Sequence, residues 1–366
     1  MMTNGVPSAK PLHVLVSIPS GPTGQGGIDR IMAALKQELD REKRADIDVR
    51  FLVSRGSGHA ALSGFHMLGF CLKMLAARVA GRADVVHINL SSYGSTYRKL
   101  VIATCARMLG IPYILHLHGS EYRLFWKEDT SFLSGRIRTM FEQAARVVVL
   151  GRTWRDFIAG RAPGAADHIA IVPNATEIPS LAHVGGGESV HILFLGRIGE
   201  RKGVPQLIDT LHAMHDHPGW RATIAGDGDV EVSKSRSAAL GLGDRVAFPG
   251  WVGPATVASL IASADILVLP SFAENLPVSV IEGMAAGLAV VATPVGAVED
   301  IIRDGETGLL VPPGDVPALA DALLRLVNDP DLRARLGSAA QAVHRECLEL
   351  APFAETICNI WKAAAG

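Results

Sequence analysis

Two glutamates in the second half of the chain lie on either side of a position that favours an anion. Glu274 is in a polar loop after an apolar segment, and Glu282 follows eight residues later. Pro277 suits the first position of a helix, so the amides from Leu276 onwards would point out of the helix start and attract a phosphate. A nucleotide sugar, with phosphate in its middle and hydroxyl groups at both ends, would reach both carboxylates. The alternative is that Glu274 caps the helix and that Glu282 is a solvated residue on the face of this helix.

Two cations, Arg197 and Lys202, occupy a second loop, which follows the apolar segment 191–195. A helix is predicted to begin near Val204, so both cations would lie between a strand and a helix start. In this position they could bind a diphosphate. A solvated loop that carries two charges is the alternative.

Apolar and helical segments alternate through both halves of the chain, a pattern typical of parallel sheets. The length fits two domains: a first Rossmann-like domain at 1–180, a second at 181–352, and a last helix, 353–366, that joins the first. The helix with Glu282 is expected to end at Gly287. The predicted strands cover residues 12–18, 48–53, 84–90, 112–118, 147–150, 169–173, 191–195, 221–228 with its terminal turn, 246–250, 265–270, 288–292 and 305–311.

A glycine-rich loop follows the first predicted strand. Gly24, Gly26 and Gly27 would let backbone amides approach a ligand closely before a helix that begins at Ile28. The glycines match the dinucleotide-binding fingerprint only in part. Contact with a phosphate and a plain tight turn therefore both remain open.

Polar residues also follow two later strands of the first half, where ligands bind in open α/β sheets. His118 ends the strand 112–118 and is placed to reach a ligand, whereas His116 is predicted to be structural. The strand 84–90 precedes a hydroxyl-rich loop that ends in two cations, before a helix from Leu100. A sugar or phosphate acceptor would suit Ser91, Ser92, Ser95, Arg98 and Lys99.

The formal charge of −1 conceals two halves of opposite sign. Residues 1–180 carry 22 Lys and Arg against 14 Asp and Glu, a charge of +8, and the remainder carries −9. No acidic residue occurs from Val49 to Ala83, and the segment Ala61–Arg78 predicts a basic helix with an apolar face that could lie on a membrane. An ordinary core helix is the alternative. Nucleic acid is not favoured, because no aromatic–basic binding motif accompanies the charge.

The cysteine pattern and the apolar segments of the sequence indicate the cellular compartment. Four cysteines without metal-ligand spacing are typical of a reducing compartment. The first ten residues have no apolar signal core, and the chain has no run of eighteen apolar residues. We therefore expect a cytoplasmic protein, or one bound peripherally to a membrane.

Four motifs follow one another in the second half: Arg197-x4-Lys202-Gly203, Gly226-Asp-Gly228, Glu274-x7-Glu282 and Thr293-x2-Gly296. In this order and context they resemble the C-terminal half of the retaining family 4 glycosyltransferases. The first half resembles the same family more weakly, through Gly26-Gly27 and His118-Gly119. The resemblance implies an α/β fold of the GT-B type, with two Rossmann-like domains facing across a nucleotide-sugar cleft.

The resemblance also implies roles for the residues of these motifs. Arg197 and Lys202 would hold the donor diphosphate and offset the charge that grows on the leaving nucleotide. Glu282 would bind the ribose hydroxyls, and Glu274 the hydroxyls of the transferred sugar. His118 would contact that sugar near the reacting carbon. The remaining donor contacts would come from Gly26, Gly27, Asn275 and Leu276.

The implied reaction is retaining hexosyl transfer that needs no obligatory metal or cofactor. The donor would be a UDP- or GDP-sugar. The acceptor would be a lipid-linked saccharide of bacterial exopolysaccharide, capsule or lipopolysaccharide assembly, met at the inner face of the cell membrane. The basic first half and the acid-free stretch fit such an acceptor.

The sequence is compatible with four other functions. A hydrolase could use Glu274 and Glu282 as its carboxylate pair, but a neutral glycoside would not require two cations. A sugar-nucleotide epimerase of related fold would turn over without an acceptor. A non-catalytic subunit could bind the nucleotide sugar. An NAD-dependent dehydrogenase fits least, because the glycine-rich loop lacks a clear ribose-binding acid on the next strand.

Overall fold

The computed structural model describes residues 10–21, 26–56, 63–127, 131–185 and 187–366. Internal contacts divide the chain into two compact units. Unit 1 takes its described residues from Met1–Leu150, Trp154–Val172 and Leu350–Gly366, and unit 2 from Gly151–Thr153 and Pro173–Glu349. The chain thus passes from the first unit to the second after Val172, a few residues before the predicted boundary.

Unit 1 is built on a parallel sheet of six strands in the order β2-β1-β3-β4-β5-β6. Its strands carry continuous Val, Ile and Leu runs that are buried on both faces, as expected of a parallel sheet covered by helices. The strands are β1 Leu12–Ile18, β2 Ile47–Val53, β3 Val85–Leu90, β4 Tyr113–Leu117, β5 Arg146–Val149 and β6 Ile169–Ile171. The helices are α1 Gly27–Glu42, α2 Ser63–Val79, α3 Gly94–Met108, α4 Tyr122–Phe125, α5 Phe132–Glu142 and α6 Arg152–Arg161, together with the last helix of the chain, α13 Leu350–Ala365.

Unit 2 repeats this architecture with the order β12-β11-β10-β7-β8-β9. The strands are β7 Val190–Leu195, β8 Trp220–Ala225, β9 Val246–Gly250, β10 Ile266–Leu269, β11 Ala289–Ala292 and β12 Leu309–Leu310. The helices are α7 Val204–Ala213, α8 Val230–Ala239, α9 Pro254–Ser263, α10 Val278–Ala286, α11 Val316–Asn328 and α12 Pro330–Cys347. Two six-stranded parallel sheets with surrounding helices confirm the predicted α/β fold with two Rossmann-like domains.

Several predicted helix starts differ from those of the structure. Helix α3 begins at Gly94 and not at Leu100, because Ser95 and Thr96 bond to the backbone of Ser91 and so build the turn that starts the helix. Helix α13 begins at Leu350, since a proline in the first helical turn loses no hydrogen bond. Pro277 lies just outside α10, as its cap residue with an extended backbone. Gly287 ends α10 in the left-handed conformation, as predicted.

No helix in the described part of the chain is both long and apolar enough to cross a membrane.

Candidate functional site

The strand order of unit 2 reverses between β7 and β10. From β7 the sheet continues to β8 and β9 on one side, and from β10 to β11 and β12 on the other. Ligands of open α/β sheets bind at the carboxyl ends of the strands at such a reversal. The loop after β7 carries Arg197 and Lys202, and the loop after β10 carries Glu274. The fold therefore brings the two sequence-predicted clusters to one edge of the sheet.

Lys202 and Glu274 form a direct ion pair across these two loops. The Nζ of Lys202 donates to Oε1 of Glu274, and the two side chains are only 13% and 8% exposed. The hydroxyl of Ser271 donates to the same oxygen at 2.7 Å. Glu274 is thus fixed by two donors and does not cap α10. Both donors bind Oε1, so a third donor would be accepted by Oε2.

The Thr293-x2-Gly296 motif supports the loop that holds Glu274. The hydroxyl of Thr293 donates to the carbonyl of Ser271 at 2.6 Å, and the amide of Ala297 donates to the carbonyl of Asn275 at 2.7 Å. Gly296 has a φ of +65°, and a Cβ added there would lie 2.3 Å from the carbonyl oxygen of Glu274. Only glycine fits such a close approach in this conformation. The motif therefore positions the loop.

The start of α10 adjoins Glu274. Its capping residue, Pro277, offers no side-chain acceptor, so the first amides of the helix have no side-chain cap. Leu276 is buried, and its carbonyl accepts a hydrogen bond from Asn174 at 2.8 Å. Glu282 lies in the second turn of α10 and is half-buried. This helix start can accommodate an anion with carboxylates on both sides.

Arg197 differs from Lys202 in its exposure. Its side chain is 68% exposed and lies 3.6 Å from Asp227 in an ion pair that is itself open to solvent. A pair of this kind holds its members weakly. Arg197 can therefore turn towards a ligand at little cost.

In unit 1 the strand order reverses between β1 and β3. Gly24 lies outside the described residues. Gly26 caps α1, and Gly27 is the first residue of that helix. A Cβ added to Gly27 would meet no atom within 4 Å. The protein's own packing therefore does not require glycine at this position.

The hydroxyl-rich segment after β3 is folded differently from the prediction. Ser95, Arg98 and Lys99 belong to α3 and not to a loop. Lys99 is only 2% exposed, and its ammonium donates to the hydroxyls of Ser17 and Ser54. Burial, and secondly the charge of Arg98, lowers the pKa of Lys99 to about 7.

The His118-Gly119 motif lies against the same segment. A Cβ added to Gly119 would come within 2.8 Å of both the amide and the hydroxyl of Ser92. The ring of His118 is half-buried, and its Nε2 lies 2.9 Å from Oδ1 of Asn89. His116 is completely buried beneath it, as predicted for a structural residue. The fold thus brings His118, Gly119 and Ser92 together.

Sequence reasoning missed several partners of these residues. Ser271, which donates to Glu274, could have been suspected from its position three residues before that glutamate in a turn. Asp227, which pairs with Arg197, belongs to the Gly226-Asp-Gly228 motif and was not assigned a role. Trp361 bonds to His87, 274 residues away, and no local pattern signals such a contact. Within the described ranges, no three His, Cys, Asp or Glu side chains are grouped closely enough to hold a metal ion.

Comparison with known families gives two matches that together cover most of the chain. The family described as "Glycosyl transferases group 1" matches residues 185–343, which form most of unit 2. The family described as "Glycosyl transferase 4-like domain" matches residues 14–175, in the first half of the chain.

Individual relatives and solved structures agree with these matches. The phosphatidyl-myo-inositol mannosyltransferase of Mycobacterium leprae is 37% identical over 281 residues, which is 73% of this chain and 70% of the relative. The alpha-D-kanosaminyltransferase of Streptomyces kanamyceticus is 27% identical over 330 residues, covering 83% and 84% of the two chains. The structure of Anabaena Alr3699/HepE in complex with UDP and glucose superposes with a TM-score of 0.74 at 19% identity, over 95% of this chain and 98% of that one.

Proposed function

Because the chain belongs to the group 1 glycosyl transferases, we propose that it transfers a hexose from a nucleoside diphosphate sugar, with retention of anomeric configuration, to a lipid-linked saccharide. The observation that carries this proposal is the buried Lys202–Glu274 pair, which precedes an uncapped helix start at the strand-order reversal of unit 2. A cation, helix-start amides without a side-chain cap and a carboxylate fit the diphosphate and the sugar of such a donor. The mannosyltransferase and kanosaminyltransferase relatives support the hexose.

Each candidate donor-site residue of unit 2 has a proposed role. Lys202 and Arg197 bind the diphosphate, together with the first amides of α10 and the backbone near Asn275 and Leu276. Oε2 of Glu274 accepts a hydrogen bond from a hydroxyl of the transferred sugar, since Oε1 already accepts from Lys202 and Ser271. The carboxylate of Glu282 accepts hydrogen bonds from the ribose hydroxyls.

The proposed step replaces one bond to the anomeric carbon by another on the same face of the sugar. The bond from this carbon to the phosphate oxygen breaks, and a bond to the acceptor oxygen forms. The acceptor hydroxyl gives its proton to the leaving phosphate. Lys202 and Arg197 stabilise the charge that develops on the diphosphate, so the step requires neither an enzymic nucleophile nor an obligatory metal ion.

The proposed function can be tested with purified enzyme, a panel of UDP-, GDP- and ADP-hexoses, a bacterial membrane lipid extract and an excess of chelator. We expect one nucleoside diphosphate to be released only when the extract is present, and an α-linked donor to yield an α-linked product by NMR. Release without an acceptor would instead indicate hydrolysis. A requirement for added divalent metal would contradict the proposed charge compensation by Lys202 and Arg197.

Gly27 provides a test of donor binding that separates ligand contact from folding. Replacement of Gly27 by alanine should stabilise the first turn of α1 by about 0.5–1 kcal/mol, because the added methyl group meets no atom and alanine favours helix. If a diphosphate approaches this backbone, the same methyl group should lower kcat/KM by about tenfold or more, as one misplaced contact commonly does.

Gly135→Ala is the matched control, because Gly135 also lies in a helix start with open space around its Cα and has no proposed ligand. We expect G135A to keep wild-type activity. The two variants are compared by thermal melting and by initial rates of donor turnover. A Gly27→Ala enzyme that is as active as wild type would contradict a close approach of the donor.

The lipid part of the proposal rests on the surface of α2 and α3. Both helices expose large apolar side chains and contain no acidic residue. Lys73 and Arg78 on α2 are exposed beside them. Apolar side chains among cations favour the surface of an anionic membrane. The apolar surface consists of Phe65, Leu68, Leu72, Leu75 and Val79 on α2 and Tyr97, Val101 and Met108 on α3.

The acceptor segment lies on one of these helices. Ser95 and Arg98 belong to the first turns of α3, and the turn with Ser91 and Ser92 precedes it. We therefore propose that a lipid-linked acceptor places its lipid part on the apolar surface and its polar part at this turn. Lys99, whose ammonium is buried against the buried hydroxyls of Ser17 and Ser54, takes no part in this acceptor contact. A relative whose name includes the lipid phosphatidyl-myo-inositol supports this acceptor class.

Replacement of Leu72 by aspartate should weaken membrane binding about tenfold, which corresponds to the loss of one inserted leucine side chain. The measurement is flotation with vesicles that contain phosphatidylglycerol, at low and at high salt. Val232→Asp is the control, since Val232 is an exposed valine on α8 of unit 2. Wild-type protein that stays in solution with anionic vesicles, or equal binding by L72D and V232D, would contradict the proposed surface.

A further inference from the structure

Three histidines of unit 1, which we call the histidine cluster, lie on and after the neighbouring strands β3 and β4. His87 belongs to β3, His116 to β4, and His118 follows β4 directly. The rings of His116 and His118 pack at a centroid distance of 4.0 Å. Two further side chains bond to the cluster: Trp361 of α13 at one end and Asn89 of β3 at the other.

The hydrogen bonds assign the protons at the buried end of the cluster. The indole of Trp361 can only donate, and it donates to Nδ1 of His87 at 2.9 Å. A neutral His87 therefore carries its proton on Nε2. This nitrogen lies 3.2 Å from Nδ1 of His116 and donates to it. These two hydrogen bonds link Trp361 of α13 to the ring of His116 and so fix the orientation of this ring, on which His118 packs.

Asn89 assigns the proton of His118. Its Nδ2 donates to the backbone carbonyl of Ser17 at 3.0 Å, so its Oδ1 is turned towards His118. An amide oxygen only accepts, and Nε2 of His118 must therefore carry a proton. In the neutral ring, Nδ1 then carries the lone pair and can only accept.

The surroundings favour the neutral form of all three rings. Burial lowers the pKa of His87 to about 4. Burial, and secondly the neighbouring His87, lowers the pKa of His118 to about 3. The pKa of His116 also lies well below its usual value because of burial and the two neighbouring imidazoles. Strand β1 adds Ser17, whose hydroxyl accepts from Lys99, and α13 adds the neutral Trp361.

We propose that Asn89 and the Trp361–His87–His116 chain are positioning residues that hold His118 as a neutral ring with its proton on Nε2, so that Nδ1 accepts a hydroxyl of the sugar substrate. The proposal rests on the proposed function only for the identity of that hydroxyl. In this form His118 accepts a hydrogen bond from a hydroxyl and does not act as a cation that binds phosphate.

The tautomer can be read without any substrate. In ¹⁵N-histidine NMR of the full chain, assigned with His118→Gln, we expect the His118 signals of a ring protonated on Nε2 alone. These signals should not titrate as the pH is lowered from 8 to about 5, where an unperturbed histidine would become charged. A ring protonated on Nδ1, or titration of His118 near its ordinary pKa, would overturn the proposal.

A second measurement tests the remote end of the chain of contacts. Trp361→Phe removes the donor to His87 and keeps a buried aromatic ring. We expect kcat to fall about threefold to tenfold, which is the effect of one lost hydrogen bond, with donor KM within about twofold of wild type. We also expect the NMR signal of Nδ1 of His87 to shift, because this nitrogen loses its donor while Nε2 still donates to His116.

Trp154→Phe is the matched control, because Trp154 is a buried tryptophan of unit 1 whose indole nitrogen has no hydrogen-bond partner among the described residues. W154F should leave both kcat and the histidine signals unchanged. Equal effects of W361F and W154F would overturn the role of Trp361.

Asn89→Asp supplies the complementary change. A carboxylate at this position stabilises the imidazolium, so it should raise the pKa of His118 and move the acid limb of the kcat profile to higher pH. An unchanged profile would overturn the role of Asn89. If wild-type enzyme shows no transferase activity, the NMR results still decide the tautomer, so failure of the proposed function and failure of this proposal are distinguishable.

Discussion

Replacement of Lys202 by alanine is expected to lower kcat/KM for sugar transfer by about 10³-fold, the usual effect of removing a cation or preorganised donor from developing charge. Lys202 is the only cation that the structure places against Glu274 among the described residues, and its side chain is largely shielded from water. Without it, the departing diphosphate would keep only the exposed Arg197 and the helix start. Most of the loss should therefore appear in kcat.

The same substitution removes one partner of a shielded ion pair. Glu274 keeps its bond from Ser271, so we expect a loss of about 1–3 kcal/mol in the free energy of unfolding, well below the whole stability of a domain. Thermal melting and circular dichroism should show a folded variant. Lys234→Ala is the control, since Lys234 is exposed on α8 of the same unit. A folded K202A variant with wild-type kcat/KM would show that Lys202 does not bind the donor diphosphate.

Replacement of Glu282 by alanine is expected to raise donor KM by about 10- to 100-fold, the effect of losing hydrogen bonds to a charged group. Glu282 is half-buried in the second turn of α10, eight residues after Glu274. Its proposed partners, the ribose hydroxyls, do not change during the reaction. We therefore expect kcat to change less than KM.

A donor with 2′-deoxyribose makes this test specific. Wild-type enzyme should use the 2′-deoxy donor less well than the natural donor, and the Glu282→Ala enzyme should use both equally. Glu346→Ala is the control, because Glu346 is an exposed glutamate on helix α12 of unit 2. A variant that still discriminates against the 2′-deoxy donor would show that Glu282 does not bind the ribose.

The fold and the positions of Lys202 and Glu274 in loops after buried strands could be predicted because their signals are local. Buried strands such as β10 and β11 are short apolar runs. Helix α10 ends at Gly287, because glycine readily adopts the left-handed conformation that ends a helix. The structure then brings Lys202 and Glu274 together because their loops follow neighbouring strands at a reversal of strand order. Topology alone achieves this.

The parts that were predicted wrongly depend on contacts between distant residues. The segment from Ser91 to Lys99 has the composition of a loop, yet two of its hydroxyls complete the turn that starts α3. Lys99 has the sequence context of a surface cation, yet it is buried and bonds to Ser17 near the end of β1 and to Ser54 directly after β2. The contact of Trp361 with His87 joins the end of the chain to β3. No periodicity contains this information.

Thermal melting of the wild-type chain with UDP, GDP, ADP and the corresponding monophosphates, in excess chelator, tests directly whether the protein has a diphosphate site. We expect one nucleoside diphosphate to stabilise the protein by about 2.7 kcal/mol at a concentration of 100 times its Kd, because it binds only the folded state. The monophosphate should act much more weakly, and Lys202→Ala should abolish the shift. No shift with any nucleotide, or an equal shift with mono- and diphosphate, would contradict a diphosphate site built from Lys202, Arg197 and the start of α10.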